Sequence, residues 1–464
     1  MLAARALGVY PDGMSTRQIL IALLAAAALA AFTDITDARQ ADRPGVDNRA
    51  ERAVETIREH AAPLNDEADL DPLLNRIGDA RLVLLGEATH GTSEFYTWRA
   101  KISRRLIEEK GFAFIVVEGD WTPCYRLNLY VKGLLDEATT AREIMAGFDR
   151  WPEWMWANEE VLELIEWLHE HNKSLPADER VGFYGLDIYG APESKRQVLE
   201  YLEEADEEAA EIAMHSYSCM SAYAPDFSVY SRAMASGAAS CEAGVVRVVE
   251  TLRERADDLA RQDSKAFFNA KQNAYTVKSA ERHHRNAVRG GAMSWNDRAR
   301  HFHATAVRLL EHHENRGGGV VWAHNTHIGD ARATSMSAQG MLNIGHLARD
   351  SHGDDVVSVG FGMGGGELLA GRGWGDQVRT MTSAPPIPNS AEDLFRRAGV
   401  ERGLIVFDDA MRDGPLSDIR GHRAIGVTFD PRHESQRNYV PTNLTRRYDA
   451  FIYFDETTPL RPVR

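Results

Sequence analysis

The sequence predicts an α/β fold, with a mostly parallel central sheet flanked by helices and a large α-helical insertion forming a second lobe. Three observations predict it. Four short apolar runs, Arg81-LVLLGEATHG, Phe112-AFIVVEGDW, Val181-GFYGLDIYG and Gly319-VVWAHNTHIGD, are rich in β-branched and aliphatic residues and too short for helices. A helical segment, Glu94 to Lys110, separates the first two and places Phe95, Trp98, Ile102, Leu106 and Ile107 on one face; that order makes a parallel strand–helix–strand unit. From Ala191 to Glu314 the pattern is helical throughout, with no convincing strand.

Taken in order, the chain begins with a segment that is not fold material. Arg17 precedes a 14-residue apolar stretch, Ile19–Phe32, and Ala28-Leu29-Ala30 supplies the small residues of a cleavage site. Residues 1–32 therefore read as a signal peptide starting at Met14, too short for a confident membrane span. An uncleaved anchor or a buried N-terminal helix is the competing reading. Residues 33–50 read as a polar tether, 51–190 as the first part of the α/β core, 191–314 as the helical lobe and 315–464 as the second part of the core.

Within the core, residues 51–80 predict an amphipathic helix through Val54, Ile57, Leu70, Leu73 and Leu74. The loop Arg150-WPEWMWAN crowds Trp151, Trp154 and Trp156 before a helix over Glu159–Asn172. Such a cluster plugs a core or walls an apolar ligand, with equal weight. In the insertion, the helical stretches are Glu193–Ala213, Cys241–Gln262 and Ala299–His313. Later strands fall at Val356-VSVGFG, Gly403-LIVFDD, Ala424-IGVTF and Ala450-FIYFDET, and glycines around 360–375 mark a flexible turn.

At 464 residues with 44% hydrophobic content, the chain buries one large core or two ordinary ones. A net charge of −16 argues against nucleic acid or an anionic membrane as main partners. Cys124, Cys219 and Cys241 are too few for a disulfide framework or a cysteine-based zinc site. Cys219 and Cys241 could pair across a helical segment, but three isolated thiols is the favoured reading.

The chemistry is read from the strand ends. No G-x-S-x-G elbow, H-E-x-x-H, Walker A or dinucleotide-type G-x-G-x-x-G is present, so covalent serine catalysis and nucleotide binding are poorly supported. What remains is Glu87, His90, Glu118, Asp187, His324 and His327, all beyond the carboxyl ends of predicted parallel strands, where open sheets bind ligands. Neutral imidazole takes a proton from water near pH 7, a carboxylate fixes its tautomer, and Arg99 holds a carboxylate or neutralises a developing oxyanion. Trp121, Trp154, Asp187 and Asn325 are read as substrate-binding positions. The same residues could be metal ligands. In the blandest reading, Glu87 and Glu118 cap helices and the histidines are satisfied core residues. The pairs at 283–284 and 312–313 are read as solvated.

The segments Gly86-EATHGTSEFYTWR, Phe114-IVVEGDW, Gly185-LDIYG, Trp322-AHNTHIGDAR and Tyr448-DAFIYFDET resemble the erythromycin esterase family, some of whose members carry succinoglycan-biosynthesis labels. The likeness runs from about residue 50 to the C-terminus. It implies hydrolysis of a macrocyclic lactone by activated water, without a serine nucleophile or a required metal or other cofactor. His90 matches the family's proposed general base, and Glu87, Arg99, Glu118, His324 and His327 fall on the remaining active-site positions. The run Gly362-MGGGELLAG departs from the threonine- and aromatic-containing run of relatives, which leaves substrate identity open.

The expectation is thus a metal-independent hydrolase of a small-molecule ester or lactone, periplasmic or secreted, or alternatively cytoplasmic, without integral membrane association once the signal is removed. A metal-dependent hydrolase and an exported non-catalytic protein binding haem, metal or a small ligand are the alternatives.

Overall fold

The computed structural model describes residues 44–223, 227–314 and 316–463. The stretch read as a signal peptide lies outside the described residues, as does most of the tether. The chain divides into Met1–Glu51 and Arg52–Arg464. Helix Pro44–His60 opens inside the stretch read as a tether.

The single amphipathic helix expected over 51–80 is instead broken. Pro63 ends a two-residue strand, β1 (Ala62–Pro63). Asp66 and Asp69 then form a reciprocal capping box, and a new helix, Asp71–Ile77, starts with Pro72 in its first turn. The prolines and the cap override the apolar spacing.

The four apolar runs form β2 (Leu82–Leu85), β3 (Phe114–Asp120), β4 (Gly182–Asp187) and β5 (Gly319–Trp322). They lie side by side, all parallel, in the order β2-β5-β3-β4. Leu82 and Phe114 both register on Gly319. Buried on both faces, these strands are continuously apolar rather than alternating. Helix Ser93–Lys110 connects β2 to β3 and ends on Gly111 in the left-handed region, a common helix stop.

Beyond β2 the sheet continues through β6 (Val356–Ala370). Antiparallel β7 (Arg379–Thr382) joins the far end of β6. On the other edge come β8 (Arg402–Val406) and, later in the chain, β11 (Ala450–Thr457), which lies between β6 and β8. A separate ribbon pairs β9 (Arg420–Arg423) with β10 (Tyr439–Thr442). Two expectations are corrected here. The glycines from 360 to 366 are strand rather than flexible turn, whereas Gly373 and Gly375 do lie in the bend and turn that follow β6. A Cβ on Gly360, Gly362 or Gly364 would come within 2.6 Å of Tyr448, Phe451 or Tyr453. The glycines of β6 thus accommodate aromatic rings carried on and just before β11. The run Ala424-IGVTF is not a strand. Gly426 interrupts it, and Ile425 and Thr428 make only isolated bridges to Thr89 and Gly371, laying the segment across the ends of β2 and β6.

Between β4 and β5, Ala191 to His312 is a series of helices joined by short turns and loops, with no strand among its described residues. It has its own hydrophobic cluster, including Val198, Leu202, Tyr217, Tyr230, Val248 and Val277. Contrary to the favoured reading of isolated thiols, Cys219 and Cys241 are disulfide-bonded, with Cα atoms 5.6 Å apart; Cys124 is buried and free. His313 is not solvated: it is buried, and its Nε2 lies 3.2 Å from the Tyr184 hydroxyl. Burial pushes its pKa down to about 2. His312 is exposed, as expected, with its ring stacked on Phe268 at 3.9 Å. Among the described residues no helix is long and apolar enough to cross a membrane.

Candidate active site

The parallel strands stop together, and the turns that follow are tied to one another. Gly86 N–H donates to Val359 O at 2.9 Å, and Asn325 N–H donates to Glu87 O at 2.9 Å. Beyond β2 come Glu87 and His90, at the end of β3 Glu118, at the end of β4 Asp187, and beyond β5 His324 and His327. The short helix Asn325–Ile328 is capped by His324 itself, which accepts from Thr326 N–H.

Two groups meet at this edge. In the first, His90 Nδ1 lies 2.7 Å from Glu87 Oε1, and Arg99 Nη2 donates to Glu87 Oε2 at 2.8 Å. Arg99 is fully buried, with its guanidinium 4.3 Å from the Tyr96 ring centre and 4.7 Å from that of Trp322. Burial works against a charged His90, but Glu87 and then Glu118 outweigh it, so the pKa of His90 is raised. With Glu87 accepting at Nδ1, the free position of the neutral ring is Nε2.

In the second group Arg298, from helix Met293–His312 of the insertion, binds three partners at once. It donates to Glu118 Oε1 at 2.8 Å, to Asp187 at 2.9 and 2.5 Å, and lies 3.1 Å from His327 Nε2. Glu118 Oε2 accepts from His324 N–H at 2.8 Å. Burial would raise the Glu118 pKa, but His327, Arg298 and His90 hold it well below the usual carboxylate range. His327 is sandwiched beneath Trp295, whose ring stacks on it at 4.5 Å.

His324 links the groups, its ring centre 5.0 Å from that of His90. Burial, then the neighbouring His90, holds its pKa well below normal, so the ring is neutral. Nδ1 accepts from Thr326 N–H at 3.3 Å and lies 2.8 Å from the Thr326 hydroxyl; in the tautomer that accepts these bonds the proton is on Nε2, a buried atom beside the Ala88 backbone. The edge therefore places two histidine rings side by side, each beside a carboxylate-bearing strand end.

Glu87, His90 and Glu118 also bring candidate metal-binding atoms within 4.8 Å of one another. Their fit to a divalent cation is poor. All four carboxylate oxygens already accept from protein donors, and Arg99 and Arg298 bring two positive charges into the cluster.

The family model described as erythromycin esterase matches residues 107–457. The chain belongs to the erythromycin esterase family. It is 24% identical over 379 residues, 76% of its length, to 86% of "Erythromycin esterase type II" of Escherichia coli. It is 25% identical over 179 residues, 38% of each chain, to "Putative hydrolase YbfO" of Bacillus subtilis (strain 168). In fold, it resembles a succinoglycan biosynthesis protein (TM-score 0.72, 20% identity, covering 89% of this chain and 98% of the other). It also resembles a histidine-to-asparagine mutant of the erythromycin esterase EreC in its open conformation (TM-score 0.62, 16% identity, covering 85% and 95%).

In this esterase-family chain, Glu87, His90, Arg99, Glu118, His324 and His327 assemble around one point, and Asp187 joins them through Arg298. The three other residues read as substrate-binding sit elsewhere. Trp121 is buried, stacked on Tyr125 and Tyr184, and donates to Asn269 Oδ1 at 2.8 Å. Trp154 belongs to the main core. Asn325 is buried and turned into the sheet, its Nδ2 donating to Phe361 O at 2.6 Å and lying 3.2 Å from His422 Nε2. His422 in turn holds Glu392 through Nδ1 at 2.6 Å, both side chains fully buried. Glu87 and Glu118 do not cap the neighbouring helices, whose N-caps are Thr92 and Asp120.

Sequence reasoning missed Arg298, Glu392 and His422. For Arg298 one signal was available: Trp295 and Phe302 flank it at helical spacing, and both rings pack on His327.

Proposed function

We propose that the chain hydrolyses a carboxylic ester, foremost a macrocyclic lactone, with water activated by His90 and no covalent intermediate. The observation that carries the reading is the buried Arg99–Glu87–His90 chain, which leaves His90 Nε2 free as a base beside the neutral His324 donor. His90 Nε2 takes a proton from water as the water oxygen bonds to the acyl carbon. His324 Nε2–H donates to the oxyanion that forms. When the intermediate collapses, the bond from acyl carbon to alcohol oxygen breaks, and protonated His90 returns its proton to the leaving alkoxide. Glu87 and Glu118 stabilise the imidazolium between these steps. The lactone preference rests on the relative named erythromycin esterase, and the poor donor set supports turnover without a metal.

The test is mass-detected hydrolysis of erythromycin and of simple esters by the chelator-treated chain. His90→Ala is expected to lower kcat by about 10²–10⁴-fold, the usual share of a general base. Full activity in His90→Ala removes His90 from the mechanism. Activity lost to chelator and restored by a metal ion replaces this reading with the metal-dependent one.

We also propose that the chain is exported. The Cys219–Cys241 disulfide supports this, since such bonds persist in oxidising compartments. Cell fractionation with and without residues 14–32 tests it, and equal distribution of the two forms counts against export.

A further inference from the structure

The three tryptophans of the loop before helix Glu159–Lys173 have different surroundings. Trp154 and Trp156 are buried, whereas Trp151 is only half-buried. Its ring centre lies 4.8 Å from that of Trp374, which is 65% exposed. Trp374 in turn meets Tyr189 at 6.2 Å, both contacts being steeply tilted. Trp151 Nε1 donates to Asp376 O at 3.1 Å, and a Cβ on Gly371 would lie 3.0 Å from the Trp151 ring. The segment after β6 is therefore shaped around these indoles.

Two ties join this group to the active site. Tyr189 follows Asp187 by two residues, and the Arg298 guanidinium sits 5.2 Å from its ring centre. Arg150, next to Trp151, donates to Asp120 Oδ2 at 2.7 Å; Asp120 follows Glu118 by two residues and registers across the strands on Asp187. An indole left this exposed, yet held against two further rings, adds little to the core. Asp120 and Glu193 beside it are both paired with Arg150, so the group selects by ring face rather than by charge.

We propose that Trp151, Tyr189 and Trp374 form a stacking platform at the mouth of the site. It receives a ring, sugar or aromatic, carried by the part of the substrate remote from the scissile ester. This rests on the ester-hydrolase reading. The test uses ethyl butyrate and its phenyl-terminated and glucosyl-terminated analogues, followed by pH-stat with the full chain, Trp374→Ala and Trp374→Phe.

The expected result is a preference for a ring-bearing ester, expressed in KM. The kcat/KM ratio of ring-bearing to plain ester falls about fivefold in Trp374→Ala and largely survives in Trp374→Phe. The analogue that shows the effect identifies the ring as aryl or sugar. An unchanged ratio for both analogues in Trp374→Ala overturns the platform. If the parent chain hydrolyses none of the three, simple acyclic esters are excluded as substrates and the platform is read separately, from quenching of tryptophan fluorescence by phenyl glucoside. Quenching that disappears in Trp374→Ala supports it, and absence of quenching overturns it.

Discussion

His90 keeps its proton to higher pH than a free imidazole. Burial opposes the charge, but Glu87 at 2.7 Å and the nearby Glu118 more than compensate. A protonated ring cannot accept a proton from water, so kcat/KM is expected to rise with pH through an apparent pKa above about 6.5. Glu87→Gln removes the strongest upward influence, so its acid limb should move to lower pH while kcat falls. A pH–rate profile of both proteins checks the sign; a limb that stays in place assigns the titration to another group. Arg298→Ala leaves Glu118 and Asp187 buried without their cation, a loss of about 3–5 kcal/mol by analogy with broken buried pairs. Chemical denaturation measures it, and Arg298→Lys should recover only part, since an ammonium cannot reproduce the forked geometry. The Glu87–His90 pair, three positions apart, was readable locally, but the Arg298 couplings were not: Arg298 and Glu118 are 180 positions apart in the chain. The six titratable residues, in contrast, were legible because each stands at the end of an apolar run.

Strands were the legible elements, and the glycines of β6 show where legibility stopped. Glycine inside a strand is normally weakening, so a run of them reads as a turn. Residues on and just before β11, far along the chain, explain them: Tyr448, Phe451 and Tyr453, with Asp455 and Thr457. Gly362→Ala should cost about 1–3 kcal/mol, because the new methyl would stand 2.5 Å from the Phe451 ring. Phe451→Leu should recover part of the loss when combined with it, and thermal melts of the single and double variants decide. The ribbon β9–β10 acts on the site from behind. Its His422, backed by Glu392, lies against the Asn325 amide, and Asn325 N–H binds Glu87 O. His422→Ala should therefore lower kcat more than it raises KM. Equal loss in both, or in neither, would show that the ribbon matters to stability alone.

At the scale of the molecule, the α/β class and the helical insertion followed from the order of apolar runs. The disulfide did not, because two cysteines in a helical region carry no pairing signal of their own. Closing a segment of 22 residues, it should stabilise the insertion by about 2–4 kcal/mol. Cys219→Ser is expected to unfold at lower denaturant concentration, and an unchanged midpoint would show the bond to be dispensable. The insertion itself is more than an appendage between β4 and β5. Were it trimmed away to leave a minimal sheet, Glu118 and Asp187 would lose their shared counter-ion and His327 the indole that covers it. The candidate site is composite, so substitutions in residues 293–312 and in the strand ends should not vary independently. Exchanging the insertion between relatives would have to carry the helix bearing Arg298 along with the strand ends it faces.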